Sequence, residues 1–222
     1  MLAASQSPPP ESSDPTRQKI MDAAGEIFAD QGFHAATVRD ICARAGANIA
    51  SVNYYFGDKA GLYHEVLRQA TCAAHAEVAK AAAKPAKPEK ILRAIVFGMC
   101  RNLVASERPS WAFRLMAHEM SQPTPALDRV IEEVISPSYS LLRNTLSSML
   151  GLPADHSTTR MCAHSIIAQI IHYKASRPVL AKLWPDLKMT EKDADMLAEH
   201  IYRFSLNSVK SIARKARNQH AH

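Results

Sequence analysis

Apolar residues recur along this chain at helical spacing, and no stretch alternates in the way a strand would. Asp14-Pro15 reads as an N-cap followed by a first helical residue. Ile20, Ala23, Ala24, Ile27 and Phe28 then fall on one stripe that stops at Gly32. Thr37, with Asp40 three residues on, approximates a capping box for a second helix that buries Val38, Ile41, Cys42 and Ala45, and Gly46 ends it. Asn48 caps a third helix, whose spacing places Val52, Tyr55 and Phe56 on a packing side and Ile49, Ala50, Asn53 and Tyr54 on an exposed one. The Gly57-Asp58 turn opens a long helix from Lys59 into the Ala-rich stretch near Ala83, which Pro85 and Pro88 break. Beyond the prolines the pattern predicts helices over about 89–106, 110–120, 126–150, 157–177 and 190–217, with a short turn around 179–184. The expected fold class is all-α.

Residues 37–59 have the layout of a helix-turn-helix whose second helix could enter a DNA major groove. A short exposed face of small apolar, amide and phenol groups suits base edges and thymine methyls, whereas a merely solvated face more often carries Lys and Glu. A plain helical hairpin is the alternative, because short patterns of this kind recur without DNA binding. Further on, the 157–177 helix is apolar nearly all round. The last helix carries Leu197, Ile201, Phe204, Ser208 and Ile212 on one stripe and Leu206 and Val209 on another, so both helices want partners on two faces. The middle helices hold material for a ligand pocket. Phe97, Trp111, Tyr139 and Tyr173, with Met99, Met116 and Met120, offer adaptable apolar walls, and Arg114, His118, Arg143, Gln169 and His172 offer polar groups that could orient a ligand. The plainer account of each is a core position, although burying those five polar side chains demands partners.

Charge alters this picture less than its total suggests. The 222 residues carry a formal charge of +6, yet from Arg17 to Arg68 there are six basic and six acidic residues. Non-specific attraction to phosphate therefore does not carry the DNA argument, which rests on motif geometry and a few placed cations. The excess lies at the end of the chain, in Arg203, Lys210, Arg214, Lys215 and Arg217, the pattern of a solvated helix end or of a second DNA contact. No apolar run approaches the roughly 20 residues that cross a bilayer, and the first residues do not form a signal segment, so a cytoplasmic location without a membrane partner is expected. Cys42, Cys72, Cys100 and Cys162 form no CxxC pair and suggest reduced thiols. The ten histidines show no metal-site spacing, and there is neither a phosphate-binding loop nor a nucleophile elbow. No catalytic residue, metal or cofactor is expected, and the enzyme reading falls away.

RQKIMDAAGEIFADQGFHAATVRDICARAGANIASVNYYFGDKAGLYHEVL, with its Ala23-Ala24 pair, Phe28, Gly32, Thr37, Ile41, Ala45-Gly46, Tyr54-Tyr55-Phe56 and Lys59, resembles the N-terminal signature of the TetR-type transcriptional regulators. The Asn-Ile-Ala sequence at 48–50, QPTPALDRVIEE and HSIIAQIIHYKASRPVL are similar to the CecR branch of that family. With this resemblance the chain divides into a disordered tail over 1–14, a three-helix DNA-binding domain over 15–62 and a helical ligand-binding and dimerisation domain over 63–222. Thr37, Arg39, Asn48, Ile49, Ala50, Ser51, Asn53, Tyr54, Tyr55 and Lys59 become the expected DNA contacts, with Lys59 and Tyr55 at phosphates and Arg39 able to reach a guanine edge. Asn53 departs from the family, where many members place Tyr. The resemblance further implies a homodimer joined by the two C-terminal helices, repression of genes for export or drug sensitivity, and release from double-stranded, palindromic operator DNA by a small-molecule effector. A regulator of fixed DNA affinity and a helical adaptor without DNA binding remain as alternatives.

Overall fold

A computed structural model describes residues 14–82, 86–105 and 110–219, and among them all regular structure is helical. In chain order the helices are α1 (Pro15–Ala35), α2 (Val38–Ala45), α3 (Ile49–Phe56), α4 (Lys59–Ala82), α5 (Pro88–Cys100), α6 (Ser110–Ser121), α7 (Pro125–Val130), α8 (Ser136–Leu150), α9 (Ser157–Ala175), α10 (Arg177–Leu183) and α11 (Glu191–Gln219). The tail expected over residues 1–14 lies, except for Asp14, outside the described residues. Packing divides the chain into two units: a head formed by residues up to Thr71 together with Arg108–Ile131, and a second unit formed by Cys72–Glu107 with Glu132–His222. Packing thus groups α6 and α7, which the sequence reading placed in 63–222, with the helix-turn-helix.

In the head, α1 presents Ile20, Ala24, Ile27 and Phe28 inward, and α2, α3 and α4 add Ile41, Cys42, Val52, Leu62, Tyr63, Val66 and Leu67, all buried. The Tyr63 ring stands edge-on to Phe28 at 4.8 Å. Helix α6 joins this group through Trp111, whose indole lies so close to Gly25 that a Cβ there would sit 2.4 Å from it. A glycine at 25 is what lets the indole approach the α1 backbone. Glu119 of α6 is fully buried. It accepts hydrogen bonds from the Tyr63 hydroxyl at 2.5 Å and from the backbone N–H and hydroxyl of Thr124 at 3.1 and 3.0 Å. Buried carboxylates persist when their lone pairs are satisfied in this way.

The second unit has its own core, in which Leu92, Ile95 and Val96 of α5, Leu142 and Leu146 of α8, Ile166 and Ile170 of α9 and Ile201 and Val209 of α11 pack together. A smaller cluster gathers Val104, Leu187, Met189, Ala194 and Leu197. The inward face of α11 follows Leu197, Ile201, Ser205, Val209 and Ala213, in steps of four. Phe204, which the sequence reading set on one stripe with Leu197 and Ile201, has its ring turned outward, 59% exposed. The expected 126–150 helix is interrupted by a π-helical turn at Ile131–Ile135. Pro137 accounts for it: proline has no N–H for the preceding turn and its ring crowds the carbonyl four residues back, so the helix widens just before it. A second π-helical turn, Arg101–Ala105, follows α5, where the Asn102 amide donates to the Gly98 carbonyl at 3.1 Å. Residues 177–183, expected within a helix end and a turn, form α10 with Val179 and Leu183 exposed.

Candidate nucleic-acid interface

The geometry of the head around α3 is set by its caps. The Thr37 hydroxyl accepts from the Asp40 N–H at 3.1 Å and donates to its carboxylate at 2.6 Å, which starts α2. Gly46 then adopts the left-handed conformation, with φ 62°, that a side chain would resist. The Asn48 side chain accepts from the Ala50 N–H at 3.0 Å and starts α3 two residues later. Gly57, at φ 79°, closes α3, and the Asp58 carboxylate accepts from the Gly61 N–H at 2.7 Å at the start of α4.

Between these caps α3 is only eight residues long, and Val52 is its one fully buried side chain. Tyr55 and Phe56 are half-buried beside it, as is Ser51. Ile49 and Tyr54 are 49% and 62% exposed, with Ala50 and Asn53 open to solvent on the same face. That surface offers a branched alkyl group, a methyl, an amide and a phenol, a set able to meet thymine methyls and hydrogen-bonding base edges. The Tyr54 ring leans edge-on against Tyr55 at 5.0 Å.

The cations of the head are partly committed to other groups. Arg17 pairs with Glu65 at 3.1 Å and lies 5.2 Å over the Phe56 ring. Arg44 pairs with Glu26, and Arg68 pairs with Glu65 at 3.0 Å. Arg114 pairs with Asp30 at 3.1 Å. Arg39 is exposed, with no carboxylate partner among the described residues. The Lys59 ammonium donates to the His34 carbonyl at 3.3 Å and sits 4.7 Å over the Phe33 ring, which leaves two of its three donors for other acceptors. The Tyr55 hydroxyl donates its single proton to Asp14 at 2.5 Å. Sequence reading treated Asp14 only as a helix cap, since nothing in local spacing links it to a residue 41 positions away.

The aromatic and polar residues proposed for a ligand pocket do not all fall in one unit. Trp111, Arg114 and His118 belong to the head, where Trp111 lies over Gly25, Arg114 holds Asp30 and His118 lies beside Gly32. Phe97, Tyr139, Arg143, Gln169, His172 and Tyr173 belong to the second unit. Phe97, Tyr139 and Tyr173 pack on its core. The Arg93 guanidinium lies 3.9 Å over the Phe97 ring. Tyr139 and His164 share a hydrogen bond of 3.1 Å, and Arg143 lies 5.0 Å over the Tyr139 ring with its Nε buried and without a hydrogen-bond partner. Gln169 donates to the Ser165 carbonyl at 3.0 Å, and His172 contacts the Ser176 hydroxyl at 3.2 Å.

The model of the N-terminal domain of the tetR family of bacterial regulatory proteins matches residues 20–66, the stretch that contains α2 and α3. The model of the C-terminal domain of the HTH-type transcriptional dual regulator CecR matches residues 88–209, more than half of the chain. The chain belongs to the TetR family. This TetR-family protein is accordingly a DNA-binding transcription regulator and not an enzyme. It is 28% identical to the HTH-type transcriptional dual regulator CecR of Shigella flexneri over 180 residues, which cover 74% of this chain and 78% of that one. Its fold resembles FadR from Bacillus subtilis, solved in complex with stearoyl-CoA, with a TM-score of 0.62, 16% identity and coverage of 85% and 97% of the two chains. It also resembles AibR, solved with isovaleryl coenzyme A and operator DNA, with a TM-score of 0.60, 16% identity and coverage of 84% and 98%. No helix among the described residues of this regulator is long and apolar enough to cross a membrane.

Proposed function

We propose that the protein is a cytoplasmic repressor that binds a palindromic operator as a homodimer through two copies of α3 and is released by a small-molecule effector. The observation that carries this reading is the outward face of the last long helices, where Met161 of α9 and Met196 and Phe204 of α11 are 61%, 47% and 59% exposed. Apolar side chains this large and this uncovered on adjacent sequence-terminal helices favour a second copy as their cover. A permanent interface of this type buries on the order of 2,000 Å² or more. Two-fold symmetry then requires an operator with two equal half-sites about one helical turn apart or somewhat more.

The effector reading is supported by the second unit, where the buried Nε of Arg143 has no hydrogen-bond partner and its guanidinium lies over the Tyr139 ring. The coenzyme A thioesters held by FadR and AibR support an effector with an apolar chain. Such a ligand shifts the protein only through its unequal affinity for the DNA-competent and released states, and a preference of about 1.4 kcal/mol changes DNA affinity tenfold. By reciprocity the operator weakens the effector by the same factor. Gel shifts on the DNA flanking the protein's own gene, with and without a compound library, test the whole reading. The expected result is a shifted band that a compound abolishes, and calorimetry should then give a weaker effector in the presence of operator. Equal effector affinity with and without operator would refute the release mechanism.

A further inference from the structure

Helix α3 is held by little besides Val52, since it is eight residues long and its remaining side chains are half-buried or exposed. What restrains its rotation is found at its C-terminal end, where two consecutive residues are gripped by the first turn of α1. One oxygen of Asp14 caps α1, accepting from the N–H groups of Thr16 and Arg17 at 2.7 and 3.4 Å, and the other accepts the Tyr55 hydroxyl proton at 2.5 Å. Arg17, two residues into α1, covers the Phe56 ring at 5.2 Å and is itself anchored on Glu65 of α4 at 3.1 Å. Tyr54, the most exposed large side chain of α3, rests edge-on against the Tyr55 ring at 5.0 Å. A contact path therefore runs from the Asp14 carboxylate through the Tyr55 phenol to the Tyr54 ring.

A phenol has one proton to donate. While it points at Asp14 it cannot also be given to a DNA phosphate, and two oxygens without a proton between them repel. The titration behaviour agrees with a committed bond. The Tyr55 phenol is pushed above its ordinary value and the Asp14 carboxyl is held below its own, and in each case the bond to the other is the largest cause.

We propose that Asp14 is a positioning residue for base recognition: through Tyr55 it holds the C-terminal end of α3, and Tyr54 with it, at the angle at which Ile49, Ala50, Asn53 and Tyr54 meet the bases. The proposal rests on the reading of α3 as the helix that enters the groove. It moves Tyr55 from the phosphate-contacting residues, where the sequence had placed it, to those that set specificity.

The two roles for Tyr55 leave different signatures. A lost phosphate contact weakens all sequences alike and leaves base preference intact, and because a neutral phenol displaces no counterion it leaves the salt slope unchanged. A lost positioning bond instead relaxes base preference. The test is fluorescence anisotropy on a randomised operator library at several salt concentrations, with the full-length protein carrying Tyr55→Phe, Asp14→Ala, both together, or Asp14→Asn. Tyr55→Phe retains the ring and its packing, so it keeps the measurement meaningful if Asp14→Ala destabilises α1. The expected result is that Tyr55→Phe and Asp14→Ala each weaken the preferred operator by about tenfold, the order a charge-assisted hydrogen bond supports. The double variant should be no worse than either single one, the salt slope should be unchanged, and Asp14→Asn, which retains an acceptor oxygen and the cap, should keep the wild-type base preference. A Tyr55→Phe protein that binds all sequences more weakly with intact base preference would overturn the proposal, as would additive losses in the double variant. Asp14→Ala that lowers the melting temperature but leaves base preference intact would also overturn it, reducing Asp14 to a helix cap. An Asn53→Ala control separates the two levels. Unchanged base preference in that variant would remove α3 as the reading helix, and with it the proposal.

Discussion

Replacing Tyr63 by Phe removes one oxygen from the interior of the head and leaves the ring against Phe28 at 4.8 Å and Phe33 at 4.9 Å. The fully buried Glu119 then keeps its two bonds from Thr124 and loses the 2.5 Å bond from the phenol. Leaving a buried acceptor without one of its partners costs about 1–3 kcal/mol, because desolvation of that lone pair is no longer offset. For a chain of this size the loss corresponds to a fall in Tm of roughly 2–12 °C. The effect also has a pH signature. Burial first, and then the bond to Glu119 and its charge, raise the Tyr63 pKa above its ordinary 10.0. The folded state thus holds the phenol proton more tightly than the unfolded chain does, so this contribution is complete below about pH 10 and is lost as the pH rises beyond it. Urea unfolding of wild type and Tyr63→Phe at neutral pH and at rising alkaline pH should show a gap in midpoint that narrows above pH 10. Equal midpoints at neutral pH would refute the argument that this hydroxyl is a needed partner of Glu119.

Three further outcomes are expected. Gly25→Ala places a methyl 2.4 Å from the Trp111 indole, so the ring must leave its seat; the overpacking should cost about 1–3 kcal/mol and change the near-ultraviolet circular dichroism of the tryptophan. Phe204→Asp puts a charge on the exposed α11 face and should give monomer or unfolded chain in sedimentation at micromolar concentration, whereas a folded wild-type monomer under the same conditions would remove the dimer proposal. Lys59→Ala should weaken DNA binding nearly equally for all sequences and lower the salt slope by about one, while Arg39→Ala should relax preference at one base pair per half-site by about 1–3 kcal/mol if its contact is bidentate. A Lys59→Ala protein with altered base preference and an unchanged salt slope would reverse that assignment.

Much of the head is legible locally. Thr37, Gly46, Asn48 and Gly57 announce the limits of α2 and α3 because caps and left-handed turns draw on a few residue types within four positions. The split of α3 between Val52 and the exposed Ile49, Ala50, Asn53 and Tyr54 follows from the helical repeat alone. The polar ties are not legible in this way. Tyr63 and Glu119 lie 56 positions apart, and Asp14 and Tyr55 lie 41 apart. A single hydrogen bond between distant side chains leaves no period in the sequence, and either partner alone has an ordinary local explanation. Which residues of the two α11 stripes face inward was hidden for another reason. In a helix with apolar residues on two faces, three-residue and four-residue steps both find hydrophobic neighbours, so the inward stripe is decided by the packing partners.

The head is built from two separate stretches of chain, and this has a consequence for how the protein is made. On the ribosome, α1 to α3 and the start of α4 emerge well before α6 and α7. At the usual pace of synthesis the interval between Thr71 and Ile131 lasts on the order of seconds. Until Trp111 and Glu119 emerge late in it, the space above Gly25 has no indole and the Tyr63 hydroxyl has no carboxylate. The nascent helix-turn-helix therefore waits for its own later sequence, and a chimera cut within α4 to borrow it as a portable cassette would carry the unfinished form.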